Sequence, residues 1–166
     1  MNDGADTQSE RSRVLVVDSD REYAQIIADA FALDYDVSLA HSTEEAIRSQ
    51  IDRAQDVVII DCAVTGRTGI VPLMQGLREI QPTTGIVLTS RNPLLVGEIV
   101  HWFDAGADDY VPKPFHLREL RARVLRVVPS QVARAAGDGE TQVRTGRLEP
   151  VEHSGAGEPH GAAVTG

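Results

Sequence analysis

Short apolar runs alternate along the chain with stretches whose apolar residues recur at helical spacing. Val14 to Val17 is a continuous apolar run, rich in β-branched residues, that ends abruptly in Asp18-Ser19-Asp20. Such a run predicts a strand buried on both faces. Tyr23, Ile26, Ile27, Ala30 and Phe31 then recur at helical spacing. Tyr35 to Ala40 reads as a second strand. His41-Ser42-Thr43-Glu44-Glu45 reads as a helix start, with Ser42 as N-cap and Glu45 three residues on. Asp56 to Ile60 is a third strand. After a loop with Gly66 and Gly69, a helix is expected from about Ile70 to Ile80, with Pro72 in its first turn. Gly85 to Thr89 is a fourth strand. Pro93 opens a helix that runs to about Ala105 and is ended by Gly106. Asp109 to Val111 is a short fifth strand. Leu117, Leu120, Val124, Leu125 and Val128 form the stripe of a last helix, stopped by Pro129.

Five β/α units in order predict an α/β fold. The expected architecture is a doubly wound, five-stranded parallel sheet with helices on both faces, flavodoxin-like in plan. In such sheets, sites form beyond the carboxyl ends of the strands. The acids after the first and third strands are therefore candidates for one site. From about Ser130 the pattern fails, and the chain becomes rich in Gly, Ala, Glu and Pro. The expected organisation is a disordered lead over 1–12, a folded domain over 13–128, and a mostly disordered tail or domain remnant over 129–166.

Composition changes this picture little. Of 166 residues, 42% are apolar, as in ordinary globular proteins. A net charge of −9 argues against direct nucleic-acid binding, which needs a basic face. No stretch reaches the ~18 apolar residues of a membrane span, and the polar first twelve residues lack a signal peptide's apolar segment. A cytoplasmic protein is expected. The single cysteine, Cys62, excludes an internal disulfide and is most simply a small buried residue.

The strand ends carry the chemistry. The first delivers Asp18, Ser19 and Asp20, and the third delivers Asp61. The fourth delivers Thr89 and Ser90, and the fifth leads into Lys113 within GADDYVPKPF. Hard oxygen ligands suit Mg²⁺, which keeps several waters. A carboxylate beside that metal can attack a phosphoryl group whose oxygens the metal, a hydroxyl and a lysine stabilise.

In these residues the chain resembles the receiver domains of two-component response regulators, over about residues 12 to 128. The stretch GADDYVPKPF resembles the regulators that carry a winged-helix output domain. The resemblance implies that Asp61 is the phosphoacceptor, served by a histidine kinase, with Thr89 and Lys113 completing the site. It implies Mg²⁺ held by Asp18, Asp61 and the Ala63 backbone carbonyl, and a switch made by Thr89 and Tyr110. It also implies a cis bond between Lys113 and Pro114, and a signalling switch rather than an enzyme. In the winged-helix class the face of the fourth helix, fifth strand and fifth helix makes a symmetric homodimer. Asp104, Asp108 and Asp109 on that face are expected to meet Arg118, Arg121 and Arg123 of a second copy.

Three residues depart from the family pattern. Ser19 stands where a second acid usually binds the metal, which predicts weak Mg²⁺ binding. Thr65 replaces a usual proline, and Thr68 replaces a common acid. Asp20 is expected to cap the following helix rather than substitute for Ser19. Ser19 also motivates a second reading, a degenerate receiver that binds a protein or small ligand without phosphorylation. A third reading takes Asp18-Ser19-Asp20 as the D-x-D of an aspartate-nucleophile phosphatase, with Asp18 attacking and Asp20 as acid and base. Glu22 stands where that family expects Thr or Val.

Overall fold

A computed structural model describes residues 11–92 and 94–129. The expected disorder of the lead and tail concerns residues that mostly lie outside these, and so does Pro93. Five strands alternate with five helices: β1 (Arg13–Val17), α1 (Arg21–Phe31), β2 (Asp36–Ala40), α2 (Thr43–Asp52), β3 (Val57–Asp61), α3 (Gly66–Ile80), β4 (Gly85–Ser90), α4 (Val96–Asp104), β5 (Asp109–Pro112) and α5 (Leu117–Val127). All pairings are parallel and the sheet order is β2-β1-β3-β4-β5. This is the doubly wound arrangement that the alternation predicts.

The strand period sorts the core into two layers. Leu15, Val17, Val58, Ile60, Ile86 and Leu88 pack with Ala46, Ile70, Met74, Leu77 and Trp102 of α2, α3 and α4. Their neighbours Val14, Val16, Val57, Ile59, Val87 and Val111 pack with Ile27 and Phe31 of α1 and Leu120 and Val124 of α5. Each large side chain buried this way contributes about 1.5–3 kcal/mol before entropy is counted, so both sheet faces are needed.

The helix ends follow local chemistry. Asp20 caps α1 by accepting from the Tyr23 N–H at 3.1 Å. Ser42 caps α2 by accepting from the Glu45 N–H at 3.1 Å, while Glu45 reaches back to the His41 N–H at 2.6 Å. The reciprocal pair is thus shifted by one residue from an ordinary capping box. Gly106 has φ of +108°, which side-chain-bearing residues rarely adopt, and it ends α4 as expected.

Two boundaries differ from the sequence expectation. α3 begins at Gly66, not Ile70, so Pro72 lies inside the helix rather than in its first turn. The apolar stripe begins only at Ile70, and the glycine-bearing turn before it has poor helix propensity. A 3₁₀ turn over Cys62–Val64 leads into it and supplies a start that periodicity does not reveal. α4 begins at Val96, where the Glu98 carboxylate accepts the Leu95 N–H at 2.9 Å. No helix among the described residues is long and apolar enough to cross a membrane.

Candidate phosphoryl-transfer site

β1 and β3 are neighbours whose following helices leave on opposite faces of the sheet. Chain ends diverge at this switch point and open a crevice. Asp18 follows β1 and Asp61 is the last residue of β3, so both carboxylates reach this crevice. Both residues are buried, at 3% exposure. The Asp18 backbone N–H donates to the Ala40 carbonyl at 3.0 Å, and its own carbonyl lies 2.9 Å from Nδ1 of His41. Asp18 Oδ1 accepts the Asp20 N–H at 2.9 Å, and Asp61 Oδ1 accepts the Ala63 N–H at 2.8 Å. The second oxygens, both Oδ2, converge on the Lys113 ammonium, which stands 2.7 Å from Asp18 and in direct contact with Asp61.

Lys113 is held for this task from two sides. Its backbone N–H donates to the Ser90 carbonyl at 2.8 Å, which ties it to the end of β4. The Lys113–Pro114 bond is cis. Its side chain is 3% exposed, and its ammonium stands 4.2 Å from the centroid of the Tyr23 ring.

A cavity of about 270 Å³ opens above the pair. Asp18, Ser19, Asp20, Asp61, Lys113 and Arg91 supply most of its polar lining, and Trp102 is among its apolar lining. In the receiver reading Asp20 is expected as a cap; it also faces the cavity. Its Oδ2 pairs with Arg91 at 2.8 Å. Its carboxyl is held below the usual range, first by the Tyr23 N–H, with desolvation opposing and Arg91 adding to the lowering. Three carboxylates against two cations leave one net negative charge at the cavity.

Arg91 and Tyr23 are site residues that sequence reasoning missed. An arginine just past a strand end and a tyrosine on an amphipathic helix look ordinary until the loops are placed side by side. Burial pushes the Tyr23 phenol up, opposed by the charges of Lys113 and Arg91. Cys62 is buried as expected, and it lines the cavity. Burial first, then the Asp61 charge, push its thiol up to about 12, which makes it a poor nucleophile.

Thr89 lies inside β4, in register with Asp61 on one side and Val111 on the other. It is buried, and Ser90 rather than Thr89 lines the cavity. Tyr110 of β5 packs with the α2–α4 layer and meets Trp102 edge to face, with centroids 6.3 Å apart. Trp102 is also part of the cavity wall.

The charged residues expected on one dimer face are dispersed. Arg121 turns to the α1 side, where it pairs with Asp34 and donates to the Ala30 carbonyl at 3.2 Å. Asp108 lies at the opposite, amino end of β5, bound to Arg78 at 2.7 Å and to the Ile86 N–H at 2.7 Å. Asp109 is not solvated. It is 7% exposed and pairs within the chain with Arg123 at 2.8 Å. Asp104 and Arg118 are exposed.

The donors fit a hard cation. The pocket offers two carboxylates that meet at a cavity, the Ser19 side chain, and the backbone at Ala63. Among the described residues no three acids, histidines or cysteines form a complete cage. A metal here would keep several waters, as Mg²⁺ does.

A family model described as the response regulator receiver domain matches residues 14–125. The chain belongs to this family. Its function is that of a phosphoryl-accepting signalling receiver, and the phosphatase reading of Asp18-Ser19-Asp20 falls away. This receiver is 34% identical over 118 residues to the transcriptional regulatory protein CpxR of Escherichia coli strain K12, covering 70% of this chain and 49% of that protein. It is 36% identical over 120 residues to the response regulator MprA of Mycobacterium tuberculosis, covering 68% and 48%. DrrB, described as a Thermotoga maritima OmpR/PhoB homolog, superposes with a TM-score of 0.62 at 26% identity, over 70% of this chain and 52% of that one. The receiver spans about half the length of the curated relatives it matches.

Proposed function

We propose that Asp61 is the phosphoacceptor of this receiver and that a histidine kinase is its donor. One observation carries the reading. The buried Asp61 carboxylate ends β3 with one oxygen fixed by the Ala63 N–H. The other is set against Lys113 at the floor of an open cavity. Transfer forms a bond from a carboxylate oxygen to phosphorus as the phosphorus–nitrogen bond of the donor's phosphohistidine breaks. Lys113, already at the acceptor, follows the charge onto the phosphoryl oxygens. Mg²⁺, held by Asp18, Asp61 and the Ala63 carbonyl, would supply further neutralisation of those oxygens when bound. Its affinity is low, because Ser19 is neutral and Asp20 is engaged by the Tyr23 N–H and Arg91.

Thr89 is one strand position from the cavity wall, and Tyr110 packs against Trp102 on that wall. Rearrangement of the Thr89 hydroxyl toward a phosphoryl group would reshape this packing and carry the signal to α4, β5 and α5. The decisive experiment is Mg²⁺-dependent labelling by a small phosphodonor, followed by mass spectrometry. Acid-labile phosphate on Asp61 is expected. Its persistence in Asp61→Asn would show that the acceptor lies elsewhere.

The output partner is a second copy of the chain, through α4, β5 and α5. Val96, Val100 and Phe103 leave an exposed apolar stripe on α4, extended by Leu95 at its N-cap. The intrachain engagement of Asp109, Arg123 and Arg121 leaves that stripe, rather than charge, as the main source of contact. Sedimentation should show association that Val100→Glu weakens more than added salt does.

A further inference from the structure

Tyr23 sits in the first turns of α1, and its ring lies against the cationic side of the site. The Lys113 Nζ stands 4.2 Å from the ring centroid, and the Arg91 guanidinium carbon stands 5.2 Å from it. Phe115, two residues beyond the lysine, meets the same ring edge to face, with centroids 5.9 Å apart. The Tyr23 N–H donates to the carboxylate of Asp20, the N-cap of α1. The segments after β1, β4 and β5, which carry Asp20 and both cations of the site, thus converge on one aromatic residue.

An ammonium has three donors and no acceptor. That of Lys113 faces one oxygen of Asp18, one oxygen of Asp61 and the Tyr23 ring. The negative face of an aromatic ring attracts a cation, and the attraction grows as both leave water. Lys113 is nearly free of solvent, so the ring acts on it more strongly than on the exposed Arg91. An aliphatic side chain at position 23 would fill the same space without a face that attracts charge.

We propose that Tyr23 is a positioning residue for phosphoryl transfer. Its ring fixes the Lys113 ammonium against the Asp18–Asp61 pair and draws Arg91 to the cavity rim. Both cations are then in place when phosphoryl oxygens arrive. The inference rests on Asp61 being the phosphoacceptor. Tyr23 itself neither forms nor breaks a bond: the phosphoryl group passes from the donor to an Asp61 oxygen, and the leaving group departs with the electron pair.

The test compares the unaltered chain with Tyr23→Leu and Tyr23→Phe. At saturating phosphoramidate, Tyr23→Leu should lower the rate constant of Asp61 phosphorylation about three- to tenfold, the range expected for loss of a partly buried cation–π contact. Tyr23→Phe keeps the ring face and should restore the rate to within about twofold. Without phosphodonor, the ¹⁵N–¹H signal of the Lys113 ammonium should persist in Tyr23→Phe and broaden in a folded Tyr23→Leu. A leucine variant as fast as the unaltered chain, a phenylalanine variant as slow as leucine, or an unchanged ammonium signal in Tyr23→Leu would each overturn the proposal. Equal labelling of Asp61→Asn would instead overturn the phosphoacceptor reading, and this inference would fall with it.

Discussion

Replacing Ser19 with aspartate tests how this receiver handles a divalent cation. Ser19 is exposed and lines the cavity beside Asp18. Asp20 cannot readily act in its place, since its oxygens serve the Tyr23 N–H and the Arg91 guanidinium. Ser19→Asp would double the net negative charge at the cavity. A carboxylate about 4 Å from a divalent ion is worth about 2 kcal/mol at the dielectric of water. Desolvation of the new carboxylate and loss of the serine oxygen reduce this to about 1–2 kcal/mol, or about five- to thirty-fold in Mg²⁺ affinity. Titration calorimetry measures it directly, and Trp102 on the cavity wall gives a fluorescence reading of the same event. The gain should shrink as the Debye length falls from ~30 Å at ~0.01 M salt to ~3 Å at ~1 M. Equal affinities for the two proteins would refute the argument. If Asp20→Asn in the unaltered chain also weakened binding severalfold, Asp20 would be the second acid after all, and its pairing with Arg91 would be dispensable.

Four further outcomes follow from the same geometry. Arg91→Gln should release Asp20 and tighten Mg²⁺ binding, measured by the same calorimetry; weaker binding would contradict the pairing argument. Asp20→Ala should lower the thermal midpoint at neutral pH by removing the cap of α1. The folded-state pKa of Asp20 is depressed, so this contribution is present above the ordinary carboxylate range and is lost as pH falls. The deficit should therefore fade in acid, and a deficit that grows there would reverse the sign of the argument. Gly85→Ala should destabilise by about 1–3 kcal/mol in urea, because a Cβ there would meet Val127 Cγ1 at 2.2 Å and the Val127 carbonyl oxygen at 2.9 Å. Arg123→Glu should cost about 1–3 kcal/mol, because the buried Asp109 would keep the Tyr110 N–H at 2.8 Å but only Arg126, at 3.9 Å, as a cation, and pairing it with Asp109→Arg should recover part of that loss in the monomer.

Position along the chain was enough to order the elements and the main acids. The alternation of short continuous apolar runs with stretches of 3.6-residue period depends only on how much of each element is buried, and it gave five β/α units. Parallel strands put every strand end on one edge, so Asp18, Asp61, Thr89 and Lys113 could be assigned to one region before any distance was known. The cap at Asp20 was legible because it is a local contact between neighbours. The start of α3 was not, because a 3₁₀ turn over Cys62–Val64 rather than an apolar repeat leads into it.

Only the tertiary structure decided who meets whom across those ends. Arg91 and Asp20 are separated by 71 residues, yet they pair across the cavity. Tyr23 and Lys113 likewise come together only when α1 and the loop after β5 are both in place. The direction of each arginine on α5 was also beyond the sequence. Arg121 and Arg123 are two positions apart, about 200° around a helix, so they leave on opposite sides. One reaches Asp34 near α1 and the other Asp109 on β5. Composition shows that such charges exist, and periodicity shows that they are off the core. Their partners depend on long side chains extending into loops whose positions only the packed sheet and helices fix.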